Sequence, residues 1–233
     1  MSICVVMVGA SRPSSEQIIK NIKNNILYFR KKYPIYTFDF IVCTYINESY
    51  NDILNFCETN KITSYFLNPI KDSDIPEELD KYMHSDSPDL RSKNRYRMFY
   101  SMDYLMNKIS NDYRAIIRLR IDSEIKLFNL VDIEPNIYYT IADTETSCSD
   151  NIGYASPEVM KKVWDLKNCF VDAFSNETLV YKAITSNSFK IKPFIFKFVL
   201  YQNNCDFFDG IYQWSKRNRE WAYDGKKYIR NDT

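Results

Sequence analysis

Short apolar runs and amphipathic helical segments alternate through residues 1–67, and this order constrains the fold more than any other feature of the chain. Residues 3–8 are a continuous apolar run, typical of a strand that is buried on both faces. A helix capped by Ser14 or Ser15 follows, because its apolar residues recur with a period of about 3.6. The same patterns then recur as a strand at 37–44, a helix at 50–59 and a strand at 62–67. This alternation predicts an α/β fold with a mixed, mostly parallel sheet flanked by helices.

The rest of the chain is less regular. Residues 68–93 contain three prolines, many acidic residues and His84, and we expect a surface excursion there. Beyond it we predict helices at 92–109, 157–166 and 177–185 and strands at 113–121, 137–142 and 193–200. Residues 201–233 are a C-terminal extension for which we predict a solvated helix. No internal repeat or low-complexity tract divides the 233 residues, so we expect one domain over 1–233.

Composition excludes several classes of function. Lys and Arg number 31 and Asp and Glu 30, whereas proteins that bind the nucleic-acid backbone usually carry a clear basic excess. We therefore expect no nucleic-acid partner. His84 is the only histidine, which argues against a histidine-based metal site or catalytic triad. The four glycines do not form a glycine-rich phosphate-binding motif.

The cysteine pattern and the absence of long apolar runs bear on the cellular compartment. The six cysteines form no C-x-x-C pair, and Cys4 and Cys43 lie in apolar runs, so we interpret them as reduced core thiols. The apolar start is short and has no basic region before it, which favours a buried strand over a signal peptide. No apolar run approaches the roughly 20 residues of a membrane span. We expect a cytoplasmic protein without a transmembrane segment.

Two acidic residues follow the predicted strand at 113–121. Asp122 and Glu124 are separated by one residue, and in an α/β sheet the carboxyl ends of the strands form the ligand crevice. Hard divalent cations such as Mn²⁺ or Mg²⁺ take oxygen ligands and keep open positions for substrate phosphates. The pattern therefore predicts a metal site at Asp122 and Glu124. The alternative is an ordinary acidic turn after a strand.

Arginines lie beside these acids and after the first strand. Arg118 and Arg120 are two residues apart in the same strand, so they share a face with Asp122. Either they pair with neighbouring acids, or at least one binds a phosphate or orients the acid. Gly9, Ala10, Ser11 and Arg12 follow the first strand, where small residues would let a nucleotide approach the backbone and Arg12 could hold a base or a diphosphate. The alternative for that segment is an exposed turn.

A second polar segment, residues 148–156, precedes the helix that Pro157 opens. Asp150 in this segment could act as a general base or hold a sugar hydroxyl. The alternative is a turn or capping aspartate.

The order of these parts resembles that of GT-A type nucleotide-sugar glycosyltransferases, and is most similar to WavE-type lipopolysaccharide-synthesis proteins and related enzymes of large DNA viruses. The resemblance spans roughly residues 3–200. Its motifs here are Asn94-Arg95, Arg118-Leu119-Arg120-Ile121-Asp122, Ser149-Asp150-Asn151-Ile152-Gly153, the helix start at 157–161 and Asn176-Glu177. The segment around Gly153 is also similar to that of glycogenin-like retaining transferases.

This resemblance implies a GT-A-like (Rossmann-like) fold and transfer of a sugar from a nucleoside-diphosphate sugar to a hydroxyl of a glycan or glycoprotein. It implies that a divalent metal stabilises the diphosphate and that Arg95 and Asn151 belong to the donor site. If the protein is viral, its compartment would be the host cytoplasm. The sequence departs from the family in having D-S-E in place of D-x-D and no C-terminal histidine. The third metal ligand would then be an aspartate such as Asp206 or Asp209, or a water molecule.

Two alternatives remain at this point. One is a nucleotidyltransferase, although its usual glycine-rich, lysine-containing first loop is absent here. The other is a catalytically inactive module that binds a glycan or a protein.

Overall fold

The computed structural model describes residues 2–10, 14–82, 88–140, 142–144, 146–173, 175–208, 211–223 and 228–232. Within them the strands are β1 (Ser2–Val8), β2 (Thr37–Tyr45), β3 (Thr63–Leu67), β4 (Ala115–Arg120), β5 (Ser123–Phe128), β6 (Ile137–Tyr139), β7 (Ala142–Thr144), β8 (Ser147–Cys148), β9 (Ile152–Ala155), β10 (Lys190–Lys192), β11 (Phe196–Phe208), β12 (Ile211–Tyr223) and β13 (Tyr228–Asp232). The α-helices are α1 (Ser15–Lys32), α2 (Tyr50–Thr59), α3 (Pro88–Met106), α4 (Pro157–Val163) and α5 (Asn176–Ser186). Short 3₁₀ helices span Asp72–Asp74, Glu77–Tyr82 and Leu166–Phe170.

Serine side chains start three of the helices. The hydroxyls of Ser14, Ser156 and Ser175 accept hydrogen bonds from the third following backbone N–H, at 3.3, 3.4 and 3.2 Å. Each cap satisfies a backbone donor that the first turn of a helix leaves without an intrahelical partner. The N-cap predicted for the first helix is therefore confirmed at Ser14.

The central sheet has seven strands in the order β10-β6-β9-β4-β1-β2-β3. All neighbouring pairs are parallel except those of β9, which is antiparallel to both β4 and β6. The predicted mixed, mostly parallel sheet flanked by helices is confirmed. Because β1 is paired on both edges, its residues from Ile3 to Val8 are at most 2% exposed.

A second, antiparallel sheet in the order β13-β12-β11-β5 contains most of the C-terminal extension. The predicted C-terminal helix is therefore wrong, since 211–223 and 228–232 are strands. β11 pairs with β5 along one edge and with β12 along the other. β12 pairs with β11 before it and with β13 after it, which satisfies its backbone groups and outweighs the weak local helix preference of residues 215–222.

The predicted excursion at 68–93 is more ordered than its composition indicates. It contains two 3₁₀ helices, and α3 begins at Pro88 instead of at residue 92. Ile75 is 8% exposed and Leu79 is fully buried, so both belong to the core. The segment thus covers part of the sheet, because Ile75 and Leu79 belong to the same core cluster as residues of the central strands.

The core lies on both faces of the central sheet. Alternate residues of β1 point to opposite faces, so that Val6 packs with α3, α4 and α5, whereas Val5 packs with α1, α2 and the second sheet. Cys4, Cys43, Cys57 and Cys169 are buried free thiols, in agreement with the prediction of reduced thiols. Burial raises the pKa of the Cys4 and Cys43 thiols to about 12, so both stay protonated at neutral pH. In the described part of the chain, no helix is both long enough and apolar enough to cross a bilayer.

Candidate functional site

A cavity of about 570 Å³ opens at the carboxyl ends of β1, β2, β3 and β4. This is the edge at which α/β sheets usually bind ligands. The lining residues are Val8, Gly9, Ala10, Tyr45, Pro69, Ile70, Asn94, Arg97, Met98, Ser101, Arg118, Arg120, Asp122, Asp150 and Asn176. Six residues predicted for the site therefore lie together, namely Gly9, Ala10, Arg118, Arg120, Asp122 and Asp150. Ser11 and Arg12, which were also predicted, are outside the described residues.

Gly9 ends β1 with a backbone conformation that favours glycine. Its φ is +133°, and its N–H donates to the carbonyl of Cys43 at 3.2 Å. A Cβ at this position would meet only Ile121, at 3.9 Å, so the backbone angle and not the space selects glycine. Gly9 and Ala10 both line the cavity, and with such small side chains a ligand can approach their backbone.

Arg120 and Asp122 form a two-bond ion pair at the cavity. Nε and Nη2 of Arg120 donate to Oδ1 and Oδ2 of Asp122 at 2.9 and 2.6 Å, and Nη1 donates to the side-chain oxygen of Asn151 at 3.3 Å. The Asp122 side chain is 3% exposed and that of Arg120 is 30% exposed. Burial lowers the pKa of Arg120, but the Asp122 carboxylate more than reverses this effect and raises it above its ordinary value. Asn151, predicted to bind the donor, lies behind the cavity wall and holds Arg120.

Arg118 lies in the cavity lining, almost fully buried, and packs on the ring of Trp164. Its guanidinium lies 4.3 Å from the ring centre of Trp164, and Nη1 donates to the main-chain carbonyl of Asp150. The indole N–H of Trp164 donates to the Tyr138 hydroxyl at 3.2 Å, and a Cβ on Gly153 would come within 1.9 Å of that hydroxyl. The Nε of Arg118 is buried and has no hydrogen-bond partner among the described residues. Burial lowers the pKa of this guanidinium, which nonetheless stays charged.

Asp150 presents a carboxylate to the same cavity. The residue is 7% exposed, and among the described residues no group donates a hydrogen bond to its side chain. Glu177, in the first turn of α5, is a second acid close to it. Burial and the negative charge of Asp150 raise the pKa of Glu177, and Arg120 partly opposes this rise. Glu177 stood in the family motif but was not predicted as a site residue.

The residues predicted to bind a divalent metal do not fit one. Asp122 lies in the turn after β4 and is paired with Arg120, whereas Glu124 is already the second residue of β5 and points towards α1. The Oε1 of Glu124 accepts from Asn24 at 3.0 Å and from Lys126, and Oε2 accepts from Tyr201 at 3.0 Å. Burial alone would raise the pKa of Glu124, but these donors lower it below its ordinary value.

No other group of residues replaces that pair in the described part of the chain, where no cluster of three or more His, Cys, Asp or Glu side chains could hold a metal ion. The side chains of Asp206 and Asp209, the candidate third ligands, are outside the described residues. The acids that line the cavity therefore give no ready-made cation site.

Arg95, which was predicted to belong to the donor site, holds main-chain carbonyls of neighbouring segments. It is fully buried, away from the cavity lining. Its guanidinium donates to the carbonyls of Tyr82, Val171 and Ala173 at 3.1, 3.4 and 2.7 Å. Arg95 therefore ties α3 to two irregular segments.

Arg97 lies on the cavity wall, and sequence analysis did not identify it. Its guanidinium donates to the carbonyl of Ile70 at 3.3 and 3.1 Å and to the carboxylate of Asp72. The hydroxyl of Tyr45 donates to the Arg97 carbonyl at 2.7 Å. The sequence offered one indication of this part of the site. Pro69 follows the strand β3 closely and predicts a turn there, next to the cavity.

Comparison with known proteins gives structural likeness alone. No protein-family model matches the sequence, and no curated protein matches it. Among solved structures, the apo form of mouse xyloside xylosyltransferase 1 has a TM-score of 0.48 and 8% identity, covering 81% of this chain and 82% of that one. An active-site mutant of LgtC has a TM-score of 0.47 and 13% identity, covering 83% and 72% of the two chains. The mannosyltransferase Ktr4p of S. cerevisiae in complex with GDP has a TM-score of 0.46 and 10% identity, covering 82% and 68%. These similarities concern the arrangement of elements and do not identify the reaction of this chain.

Proposed function

We propose that this protein is a glycosyltransferase that moves a sugar from a nucleoside-diphosphate sugar to a hydroxyl of a glycan or glycoprotein. One observation carries the proposal. The carboxylate of Asp150 has no protein donor among the described residues and shares a cavity with the guanidinium groups of Arg118 and Arg120. A base and a set of anion-binding groups at the carboxyl edge of an α/β sheet suit a reaction in which a hydroxyl attacks and a phosphate leaves.

The lining of the cavity suits both parts of such a donor. Tyr45, Pro69, Ile70 and Met98 supply apolar surface, which suits a nucleobase. The backbone of Gly9 and the guanidinium groups of Arg118 and Arg120 suit a diphosphate. The volume of about 570 Å³ lies in the usual range for small-molecule sites, roughly 300–1,000 Å³.

Guanidinium groups in the lining also suit an anionic ligand. The lining includes those of Arg97, Arg118 and Arg120. Arg97 is paired with Asp72 and Arg120 with Asp122, whereas Arg118 donates to a main-chain carbonyl. Guanidinium groups match phosphate oxygens in geometry and are more weakly hydrated than ammonium groups, so they bind diphosphates well.

The reaction assigns one step to Asp150. Its carboxylate accepts the proton of the acceptor hydroxyl, and the hydroxyl oxygen then forms a bond to the anomeric carbon of the donor sugar. The bond from that carbon to the diphosphate breaks, and its electron pair leaves on the diphosphate oxygen. Arg118 and Arg120 stabilise the charge that develops on this oxygen.

The test is transfer by the purified chain from a panel of uridine, guanosine, adenosine and thymidine diphosphate sugars to a glycan library, read by mass spectrometry. Each reaction is run with Mn²⁺, with Mg²⁺ and with EDTA. We expect transfer from one donor class, and Asp150→Asn should lower kcat by at least about 100-fold while donor affinity changes less than tenfold, or by under about 1.4 kcal/mol. Asp132→Asn, at an acid that is 90% exposed, is the matched control.

Other outcomes would replace the proposal. A loss of donor affinity in Asp150→Asn well above tenfold would assign the residue to binding of the donor sugar instead of proton transfer. Formation of a nucleotide sugar from a nucleoside triphosphate and a sugar phosphate would identify a nucleotidyltransferase. Absence of both nucleotide binding and transfer would favour a binding module.

A further inference from the structure

We infer that guanidinium groups of the protein hold the donor diphosphate at this site and that its binding requires no divalent cation. The inference rests on the proposed function, because it concerns the ligand of the same cavity. It departs from the metal site that the sequence predicted at Asp122 and Glu124. Three structural observations support it.

The first observation is that Asp122 already has a cationic partner. Both of its carboxylate oxygens accept hydrogen bonds from Arg120, at 2.9 and 2.6 Å, and the side chain is 3% exposed. A divalent cation could still approach a remaining lone pair, but it would then lie beside the guanidinium group in a place with little water to screen the repulsion. Binding of the cation would require that Arg120 first give up this pair.

The second observation is that Glu124 cannot move to the cation without losing its own contacts. Asn24, Lys126 and Tyr201 together satisfy both of its oxygens. These donors come from α1, β5 and β11, so the carboxylate is held from three elements. Glu124 is absent from the lining of the cavity, in contrast to Asp122.

The third observation is that Arg118 is held ready for an anion. It lines the cavity and its guanidinium packs on the ring of Trp164. Its Nε has no acceptor in the part of the chain that the structure describes. A buried donor without an acceptor is costly, and a phosphate oxygen would satisfy it. Arg118 also holds the main chain of Asp150, so it links the anion site to the base.

The experiment is titration of the wild-type chain with uridine, guanosine, adenosine and thymidine diphosphates by isothermal calorimetry, in EDTA and in Mn²⁺ or Mg²⁺. We expect one nucleotide to bind in EDTA with a dissociation constant within about tenfold of that measured with the metal. Binding that occurs only with metal would overturn this inference and leave the proposed transferase intact. If none of the diphosphates binds under either condition, the proposed function itself fails.

Two substitutions distinguish the models by the sign of their effects. Asp122→Asn removes a negative charge and frees Arg120, so it should leave affinity in EDTA unchanged or improve it. If Asp122 bound a metal ion, the same substitution would abolish metal-dependent affinity.

Arg118→Lys should weaken binding in EDTA by at least about tenfold, because a lysine cannot reproduce the planar donors. Undiminished affinity in Arg118→Lys would remove this residue from the diphosphate site, and circular dichroism checks that each variant is folded.

Discussion

Acidic side chains from three parts of the chain surround a single arginine at the site. Arg120 is paired with Asp122 and is also under the electrostatic influence of Asp150 and Glu177, which all raise its pKa. Glu177 is the acid of this group without an assigned role. Burial and the nearby Asp150 raise its pKa above its ordinary value of 4.5, so ionised Glu177 is less favourable in the folded than in the unfolded chain.

The raised pKa of Glu177 predicts how the stability of the protein changes with pH. A carboxyl group whose pKa is raised by folding stabilises the native state fully below the unfolded pKa, and this contribution is lost as pH rises through the folded pKa. Glu177→Gln should therefore be more stable than the wild type at pH 7, and the difference should vanish as pH falls to about 4. Thermal unfolding of both proteins between pH 4 and 8 measures it.

The matched control is Glu158→Gln in α4, whose side chain is 72% exposed. It should show little change in stability at any of these pH values. A constant difference between Glu177→Gln and the wild type across the pH range would contradict a raised pKa at Glu177.

At the scale of elements, helix α3 carries two arginines with separate tasks. Residues two apart on a helix point in roughly opposite directions, because each turn takes about 3.6 residues. Arg95 is therefore buried against the carbonyls of Tyr82, Val171 and Ala173, while Arg97 faces the cavity and the loop after β3. One element thus joins the core to the wall of the site.

The buried arginine should matter for stability and not for ligand binding. Arg95→Met would remove the donor to the carbonyls of Val171 and Ala173, whereas the Tyr82 carbonyl keeps the Ala173 N–H. Each buried unsatisfied group costs about 1–3 kcal/mol. Because removal of a buried charge offsets part of this cost, we expect the free energy of unfolding to fall by roughly 2–4 kcal/mol. Urea unfolding measures the change, and calorimetry should show unchanged nucleotide affinity in the folded variant.

Arg30→Met, at an exposed position on α1, serves as the control and should change stability by no more than about 0.5 kcal/mol. If Arg95→Met instead abolishes nucleotide binding and leaves stability unchanged, Arg95 belongs to the donor site, as the sequence predicted.

At the scale of the whole molecule, the sheet is a single layer with a core on each face. Val5 and Val6 are neighbours in β1, both fully buried, yet they belong to different cores. The two cores share the strands β1, β2, β4, β6 and β9, so neither can unfold without exposing the backbone that supports the other.

We therefore expect one cooperative unfolding transition. Val5→Ala and Val6→Ala should each lower the free energy of unfolding by about 2 kcal/mol, from lost burial and the cavity left behind. Each should shift the whole transition, as followed by both circular dichroism and tryptophan fluorescence. Two separate transitions, with only one of them moved by each substitution, would show that the faces are independent units.

The local pattern of the sequence determined the parts of this protein that depend on neighbouring residues. The apolar period of residues 3–67 predicted the alternating strands and helices, and the parallel order of β1, β2 and β3 followed from it. Once these strands were parallel, their carboxyl ends had to meet at one edge, which brought Gly9, Arg118, Arg120 and Asp122 together. Period and chain order are enough for these conclusions, because each follows from the backbone geometry of the elements.

Only the tertiary structure decided which partners the charged groups take. Glu124 is held by residues 100 and 77 positions away in the chain, Asn24 and Tyr201, and no local pattern contains that information. The same holds for Arg95, whose acceptors include Ala173, and for β11, which pairs with the distant strand β5. A side chain that can bind a metal, a phosphate or a backbone carbonyl takes the partner that packing brings within about 3 Å. That choice depends on how distant elements come together, and so it is settled only when the chain has folded.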